Sequence, residues 1–169
     1  MNDWFTLKNK VALITGGNGG VGKGIADALA SAGSDIVIAA RNEAKTAEAV
    51  KDIKDRFGVR VLGVRMDICQ EDSVISGVRE ALSNFGNINI LVNNAGVNRR
   101  KESVGLTVED WDYVLNTNLR GAFLCARTLY PAMKAGGGGK IINIGSMTSL
   151  VGIVKALPYA CSKMGLLSL

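Results

Sequence analysis

The stretch Lys10–Gly24, KVALITGGNGGVGKG, decides how the rest of this chain is read. Val11, Ala12, Leu13 and Ile14 form a short apolar run that fits a buried strand. A glycine cluster follows, then a helical pattern that runs to about Ala32. Glycines in such a strand–turn–helix let the backbone take turn conformations and approach a ligand closely. The free N–H groups and the dipole of the first helical turn then favour a negative group, such as a pyrophosphate. A plain tight turn is the alternative. Read from Thr15 the spacing is T-G-x-x-x-G-x-G, with Gly16, Gly20 and Gly22 in register and Gly17 and Gly19 as extras. Gly24 falls inside the helical pattern, where glycine costs about 1 kcal/mol relative to alanine. It either permits close helix–strand packing or is simply tolerated.

With 169 residues, 47% apolar and 21% charged, the chain has the size and balance of one soluble globular domain. No apolar run is long enough to span a membrane, and the N-terminus MNDWFTLKNK lacks the basic flank and apolar segment of a secretory signal. Cys69, Cys125 and Cys161 are scattered, odd in number and without metal-ligand spacing, which reads as reduced thiols of a cytoplasmic protein. The absence of histidine excludes histidine acid–base chemistry and argues against zinc. The net charge of +5 fits an anionic small molecule better than nucleic acid, because no basic stripe is interleaved with aromatics.

Onward from the glycines, strand and helix patterns alternate. Asp35–Ala40 reads as a second strand closed by Arg41 and Asn42, and residues 43–57 as a helix stopped by Gly58. A third strand over 59–66 runs directly into Asp67. An amphipathic helix over 73–85 ends at Gly86, and a fourth strand over 87–92 leads into Asn93-Asn94-Ala95-Gly96. Thr107-Val108-Glu109-Asp110 can cap a short helix, and a separate long helix is expected over 116–134. The fifth strand follows over 140–144, and another helix starts at Pro158. Because the strands are apolar throughout rather than alternating, they are expected to be parallel and covered on both faces. The fold class is therefore α/β: a three-layer, Rossmann-like, doubly wound parallel sheet with helices on both faces. The last elements present are the fifth strand and the start of the following helix. Thr15, Arg41, Asp67, Asn93 and Ser146 would all lie on the carboxyl edge, where such sheets bind ligands.

Tyr159 and Lys163 lie four apart at a helix start, hence on one face. A phenol, with a reference pKa of about 10, is a poor acid or base near neutrality. A neighbouring ammonium favours the phenolate and lowers that value, which brings proton exchange into range. Taken alone such a pair is usually surface decoration. A developing alkoxide needs donors aimed at it, and a serine and a tyrosine hydroxyl can supply them.

Taken together, Thr15-Gly16-x-x-x-Gly20-x-Gly22, Asn93–Gly96, Asn118 in NTNLRGAF, Ser146 in INIGSMTS and Tyr159-Ala160-Cys161-Ser162-Lys163 resemble the short-chain dehydrogenase/reductase family. The resemblance runs from about Lys8 to the last residue. AARNEAKT, VNRRK and GSMTSLVG look, more faintly, like its gluconate and deoxy-gluconate dehydrogenase branch. The resemblance implies hydride transfer between a nicotinamide cofactor and the carbonyl or secondary alcohol of a small polar substrate, a sugar acid in that branch, with no metal. Tyr159 would exchange the proton, Lys163 lower its pKa and bind the nicotinamide ribose, Ser146 polarise the carbonyl, and Asn118 hold a water leading to solvent. The cofactor would be held by Thr15, Gly16, Asn18, Gly19, Gly20, Val21 and Gly22, by Arg41 and Asn42, by Asp67 and Ile68, by Asn94, Ala95 and Gly96, and by Tyr159 and Lys163.

The end of the second strand bears on cofactor choice. No acid appears there until Glu43, and Arg41 suits a 2′-phosphate, so NADP(H) is expected over NAD(H). Gly19 is a departure, since many NADP-preferring relatives carry a basic residue at that position. Asp67 is expected either at the adenine amino group or as a turn residue. One of Arg99, Arg100 and Lys101 is expected to meet a substrate carboxylate, with a solvated charge run as the alternative. The resemblance also implies a homotetramer for a full-length form, and it makes residues 1–169 one incomplete Rossmann-like domain whose substrate-covering elements lie beyond residue 169. A non-catalytic nucleotide-binding or interaction module on the same fold is the rival reading.

Overall fold

Strand β1 (Val11–Thr15) is buried along its whole length at the centre of a parallel sheet. The computed structural model describes residues 5–169. On one side of β1 lie β2 (Asp35–Ala40) and then β3 (Val61–Arg65); on the other lie β4 (Ile90–Asn93) and then β5 (Lys140–Asn143). The order is β3-β2-β1-β4-β5, with every pairing parallel. Register is set by pairs such as Leu13 with Val37 and Leu91. The chain winds outward from β1 to β3 and then crosses back to β4. The crevice between the ends of β1 and β4 is thus the point where strand order reverses.

Why the strands do not alternate is visible in the core. Val11 and Leu13 pack with Val74, Val78, Leu124 and Leu129 of helices α3 (Glu71–Phe85) and α5 (Gly121–Ala135). Ala12 and Ile14 point the other way, toward Ala26, Ala30, Ala49 and Ile53 of α1 (Gly20–Ser31) and α2 (Glu43–Phe57). Each buried Leu, Ile or Val contributes roughly 1.5–3 kcal/mol, so a polar residue on either face of β1 would be costly. The expectation of a parallel sheet covered on both faces is met.

Element ends shift by small amounts. α3 begins at Glu71, ahead of the amphipathic signal at 73, because Glu71 and Asp72 suit the positive end of a helix. β4 begins only at Ile90; Asn89 precedes it and accepts a hydrogen bond from Val11 N through Oδ1 (2.9 Å). The final helix, α6 (Leu157–Gly165), begins one residue ahead of the expected start at Pro158.

One expectation is corrected. The short helix after Thr107 and the long helix over 116–134 are one continuous rod. Its first part is α4 (Val108–Leu115), which Thr107 and Asp110 cap reciprocally. A π turn, Asn116–Arg120, then leads into α5, with Gly121 N donating to Asn116 O. A π turn inserts one residue into the helical repeat and re-aims the side chains around it. Here it buries Thr117 and Asn118 on the side facing the crevice.

Candidate active site

The carboxyl ends of β1 and β4 are bonded together by side chains. Thr15 Oγ1 donates to Val92 O (3.3 Å) and accepts from the backbone N–H groups of Asn94 and Ala95 (3.1 Å each). Asn94 Nδ2 donates to Thr15 O (2.9 Å) and Gly16 O (3.3 Å). Around that clasp the glycines have distinct reasons to be there. Gly16 (φ +66°) and Gly20 (φ +52°) occupy left-handed backbone, which L side chains rarely adopt. A Cβ at Gly22 would drive into Asn94 Nδ2 and Gly16 O, so glycine there lets α1 start against the turn. Helix α1 has neither a side-chain cap nor an acid in its first turn, leaving its N–H groups for an anion. By contrast α2 is capped by Asn42 Oδ1, which accepts from Lys45 N.

A cavity of about 600 Å³ opens above this turn. Gly16, Asn18, Gly19, Val21 and Gly22 form its floor, Arg41 and Asn42 one wall, Asp67, Ile68 and Cys69 another, and Asn94, Ala95 and Gly96 the far side. Of the residues expected to hold the cofactor, Thr15 is placed beneath the cavity rather than in it, as the hub of the clasp. The Asn18 amide is also committed elsewhere, donating to Thr46 Oγ1 (3.0 Å) and Asn42 O (3.4 Å), which ties the turn to α2. Asp67 is placed as a turn residue at the cavity wall. Its Oδ1 accepts from Cys69 N (3.0 Å), and its side chain lines the cavity.

Through Val21, Asn94, Gly96 and Val97 the space continues into a second cavity of about 520 Å³. Ser146, Tyr159 and Lys163 all line it. Ser146 caps a 3-10 turn (Met147–Ser149), and its Oγ accepts from Thr148 N (3.2 Å) and Thr148 Oγ1 (2.9 Å). Both acceptor sites are therefore filled, which leaves its own proton to donate into the cavity. Lys163 is buried; its Nζ donates to Ile144 O (2.5 Å) and lies 5.8 Å from the centre of the Tyr159 ring. Burial pushes the Lys163 ammonium below its ordinary pKa of 10.5. Gly96 keeps space open beside it, since a Cβ there would sit 3.3 Å from Asn118 Oδ1 and 3.7 Å from Lys163 Nζ.

Asn118 lines neither cavity. Its Oδ1 accepts from Val97 N (2.7 Å), while Nδ2 donates to Val97 O (2.9 Å) and Ser162 Oγ (3.0 Å). Ser162 Oγ in turn donates to Tyr159 O (2.7 Å), and Ser149 Oγ donates to Lys163 O (2.9 Å). The second half of α6 is thus held, at Ser162 and Lys163, by side chains from two other segments. Sequence reading passed over Ser162 and Ser149 in this role. For Ser162 the signal was present, because i+3 from Tyr159 lies on the same helical face.

The three basic residues after β4 separate clearly. Arg99 stacks on the Tyr113 ring (4.5 Å) and lies 3.8 Å from Asp110; Lys101 pairs with Asp110 at 2.5 Å. Arg100 lines the second cavity with Asn98, whose buried Oδ1 has no partner among the described residues. Lys45, which sequence reading did not single out, lines the first cavity. Among the described residues no cluster of three or more His, Cys, Asp or Glu is placed to hold a metal, and no helix is long and apolar enough to cross a membrane.

A family model described as short chain dehydrogenase matches residues 10–169. The 3-oxoacyl-[acyl-carrier-protein] reductase of Aquifex aeolicus (strain VF5) is 35% identical over 161 residues, covering 95% of this chain and 65% of that protein. The 2-dehydro-3-deoxy-D-gluconate 5-dehydrogenase of Escherichia coli (strain K12) is 38% identical over 164 residues, covering 96% and 64%. A crystallised chain from Sinorhizobium meliloti 1021, assigned to the short-chain alcohol dehydrogenases, superposes with a TM-score of 0.94 at 39% identity, covering 97% and 65%. The chain thus spans just under two thirds of the length of these relatives.

Proposed function

Because the chain belongs to the short-chain dehydrogenase family, we propose that it serves an NAD(P)-dependent oxidoreductase acting on the carbonyl or secondary alcohol of a small polar substrate. One observation carries this reading. Ser146, Tyr159 and Lys163 line a cavity continuous with the space above the uncapped glycine turn. The fit to a dinucleotide rests on that turn, where glycine is sterically demanded at Gly22 and backbone-demanded at Gly16 and Gly20. When bound, the nicotinamide supplies or accepts the hydride.

The chain's own residues handle the proton. Tyr159 gives its hydroxyl proton to the substrate oxygen in reduction and takes it back in oxidation. Ser146 donates a hydrogen bond to the same oxygen as negative charge develops there. The ammonium of Lys163, held below its ordinary pKa by burial, supports the Tyr159 phenolate by its positive charge. The Asn118 amide spends both its N–H groups on protein partners, Val97 O and Ser162 Oγ, and so braces the helix that carries Tyr159 and Lys163.

NADP(H) is the favoured cofactor. Arg41 lines the cavity wall, whereas Glu43, the nearest acid in sequence, turns away to pair with Arg65 (3.1 Å). For the substrate, the position of Arg100 beside Asn98 and Ser146 supports a carboxylate, and a sugar acid is the class we favour. The exposed apolar side chains Val108, Trp111, Phe123 and Tyr130 on α4 and α5 support a homotetramer, testable by light scattering. Three free cysteines fit a cytoplasmic setting.

The test is NADPH oxidation against a panel of sugar-derived keto acids, ketoses and an acyl thioester, for this chain beside a version extended to the relatives' length. Turnover of keto acids by at least the extended form is expected. If neither form turns over any carbonyl while both bind NADPH, the chain is a binding module and the enzymatic reading fails.

A further inference from the structure

We propose that Lys45 is a phosphate-binding residue of the first cavity, with the 2′-phosphate of NADP(H) as its ligand, and that Gly19 is glycine to give its ammonium room. The inference rests on reading that cavity as a dinucleotide site. Gly19 has φ −179° and ψ 168°, extended backbone that any residue adopts. It therefore does not share the conformational reason that Gly16 and Gly20 have. Among the described residues, a Cβ built at Gly19 would meet only Lys45, at 2.5 Å from Nζ and 2.9 Å from Cε. The sole steric consequence of glycine here is space for the end of one lysine.

That lysine is held by its root. Lys45 N donates to Asn42 Oδ1 (2.9 Å), and the next residue, Thr46, receives the Asn18 amide on Oγ1 (3.0 Å). The first turn of α2 is thus pinned to the turn that contains Gly19. An exposed lysine gains rotamer entropy and hydration by pointing into water; this one reaches back over the glycines. Arg41 lines the same wall, and Glu43 is paired with Arg65 outside the cavity. The carboxylate within the cavity, Asp67, sits at the end of β3 with one oxygen bonded to Cys69 N. Two cations lining one cavity, with Glu43 paired elsewhere, suit a dianionic phosphate monoester, whose charge near neutrality is about −1.5 to −2.

Calorimetric titration with 2′,5′-ADP, 5′-ADP, NADP+ and NAD+ tests this. Lys45→Ala is expected to weaken 2′,5′-ADP and NADP+ by roughly five- to tenfold, leaving 5′-ADP and NAD+ within about twofold. Lys45→Arg should recover most of the loss. Gly19→Ala, which displaces the ammonium, should show part of the same loss alone and add nothing in the Lys45→Ala background. Unchanged 2′,5′-ADP affinity in Lys45→Ala overturns the assignment. So does an equal loss for 5′-ADP, which would put the ammonium on the diphosphate. Additive losses from the two substitutions would break the link to Gly19. A wild-type protein that binds NAD+ as tightly as NADP+ sinks the cofactor preference instead, whatever the variants do.

Discussion

The two cavities are built to different standards. Over the glycine turn, the walls are ends of β1, β2, β3 and β4, and β1 is buried throughout. Around Ser146 and Tyr159, the wall is β5 and the chain beyond it, where Ile141 and Ile142 are 41% and 43% exposed and Met147, Leu150 and Val154 are more exposed still. A central strand of a parallel sheet is covered from both faces by its own crossover helices. An edge strand is covered only by whatever packs beside it. The first cavity is thus framed by covered central strands, whereas the described residues around the second are tied by polar clasps: Asn118 to Val97 and Ser162, and Ser149 to Lys163.

That contrast can be broken or sharpened by substitution. Tyr159→Phe should cost about 10²–10⁴ in turnover, the range for a general acid–base group, with NADP+ affinity within about twofold by titration. Loss of binding instead would tie the two cavities together more closely than their geometry shows. In the first cavity, Gly22→Ala forces a methyl group into Asn94 and Gly16 O; a destabilisation of about 1–3 kcal/mol and a loss of dinucleotide binding should appear in denaturant melts and titrations. In the second, Arg100→Ala should raise KM for an anionic substrate by roughly five- to tenfold, with Lys101→Ala raising it less because Lys101 is already engaged with Asp110. Equal effects would mean a diffuse field rather than a contact.

Lys163, in the second cavity, makes stability depend on pH. Its folded-state pKa lies below the ordinary 10.5 because of burial. Between those two values the unfolded chain binds more protons, so folding stability gains with rising pH in that window. Relative to Lys163→Met, wild-type stability should therefore climb as pH rises through the depressed value toward 10.5. A flat difference in melts across alkaline pH would show that burial does not perturb this group. The smallest effect belongs to Gly24. A Cβ there meets nothing within 4 Å, so it is tolerated rather than required for packing, and Gly24→Ala should stabilise by roughly 0.5–1 kcal/mol.

Much of the frame was legible because it depends on local spacing. Apolar runs without alternation announced a sheet covered on both faces, and the i,i+4 spacing of Tyr159 and Lys163 put both side chains into one cavity. The continuous α4–α5 rod was not legible. A π turn adds a single residue to a helical repeat, a change too small for periodicity to register. Of the residues it buries, Asn118 is held by long-range bonds to Val97 and Ser162. Thr15 and Asn18 were assigned to the cofactor by resemblance; their side chains bond to segments distant in sequence, Thr15 to Asn94 and Asn18 to Thr46, which local spacing does not announce.

The sequence by itself determined the order of strands and helices, the glycines at Gly16 and Gly20 whose backbone demands them, and the presence of a tyrosine, a lysine and a serine fit for proton exchange. Which cation does what was decided only by the tertiary structure. Arg99 and Lys101 are claimed by Asp110 and Glu43 by Arg65, while Arg100 and Lys45 face the cavities. A charge acquires its partner when distant segments are brought within a few ångströms, because in water attraction between unit charges at 4 Å is only about 1 kcal/mol and fades beyond.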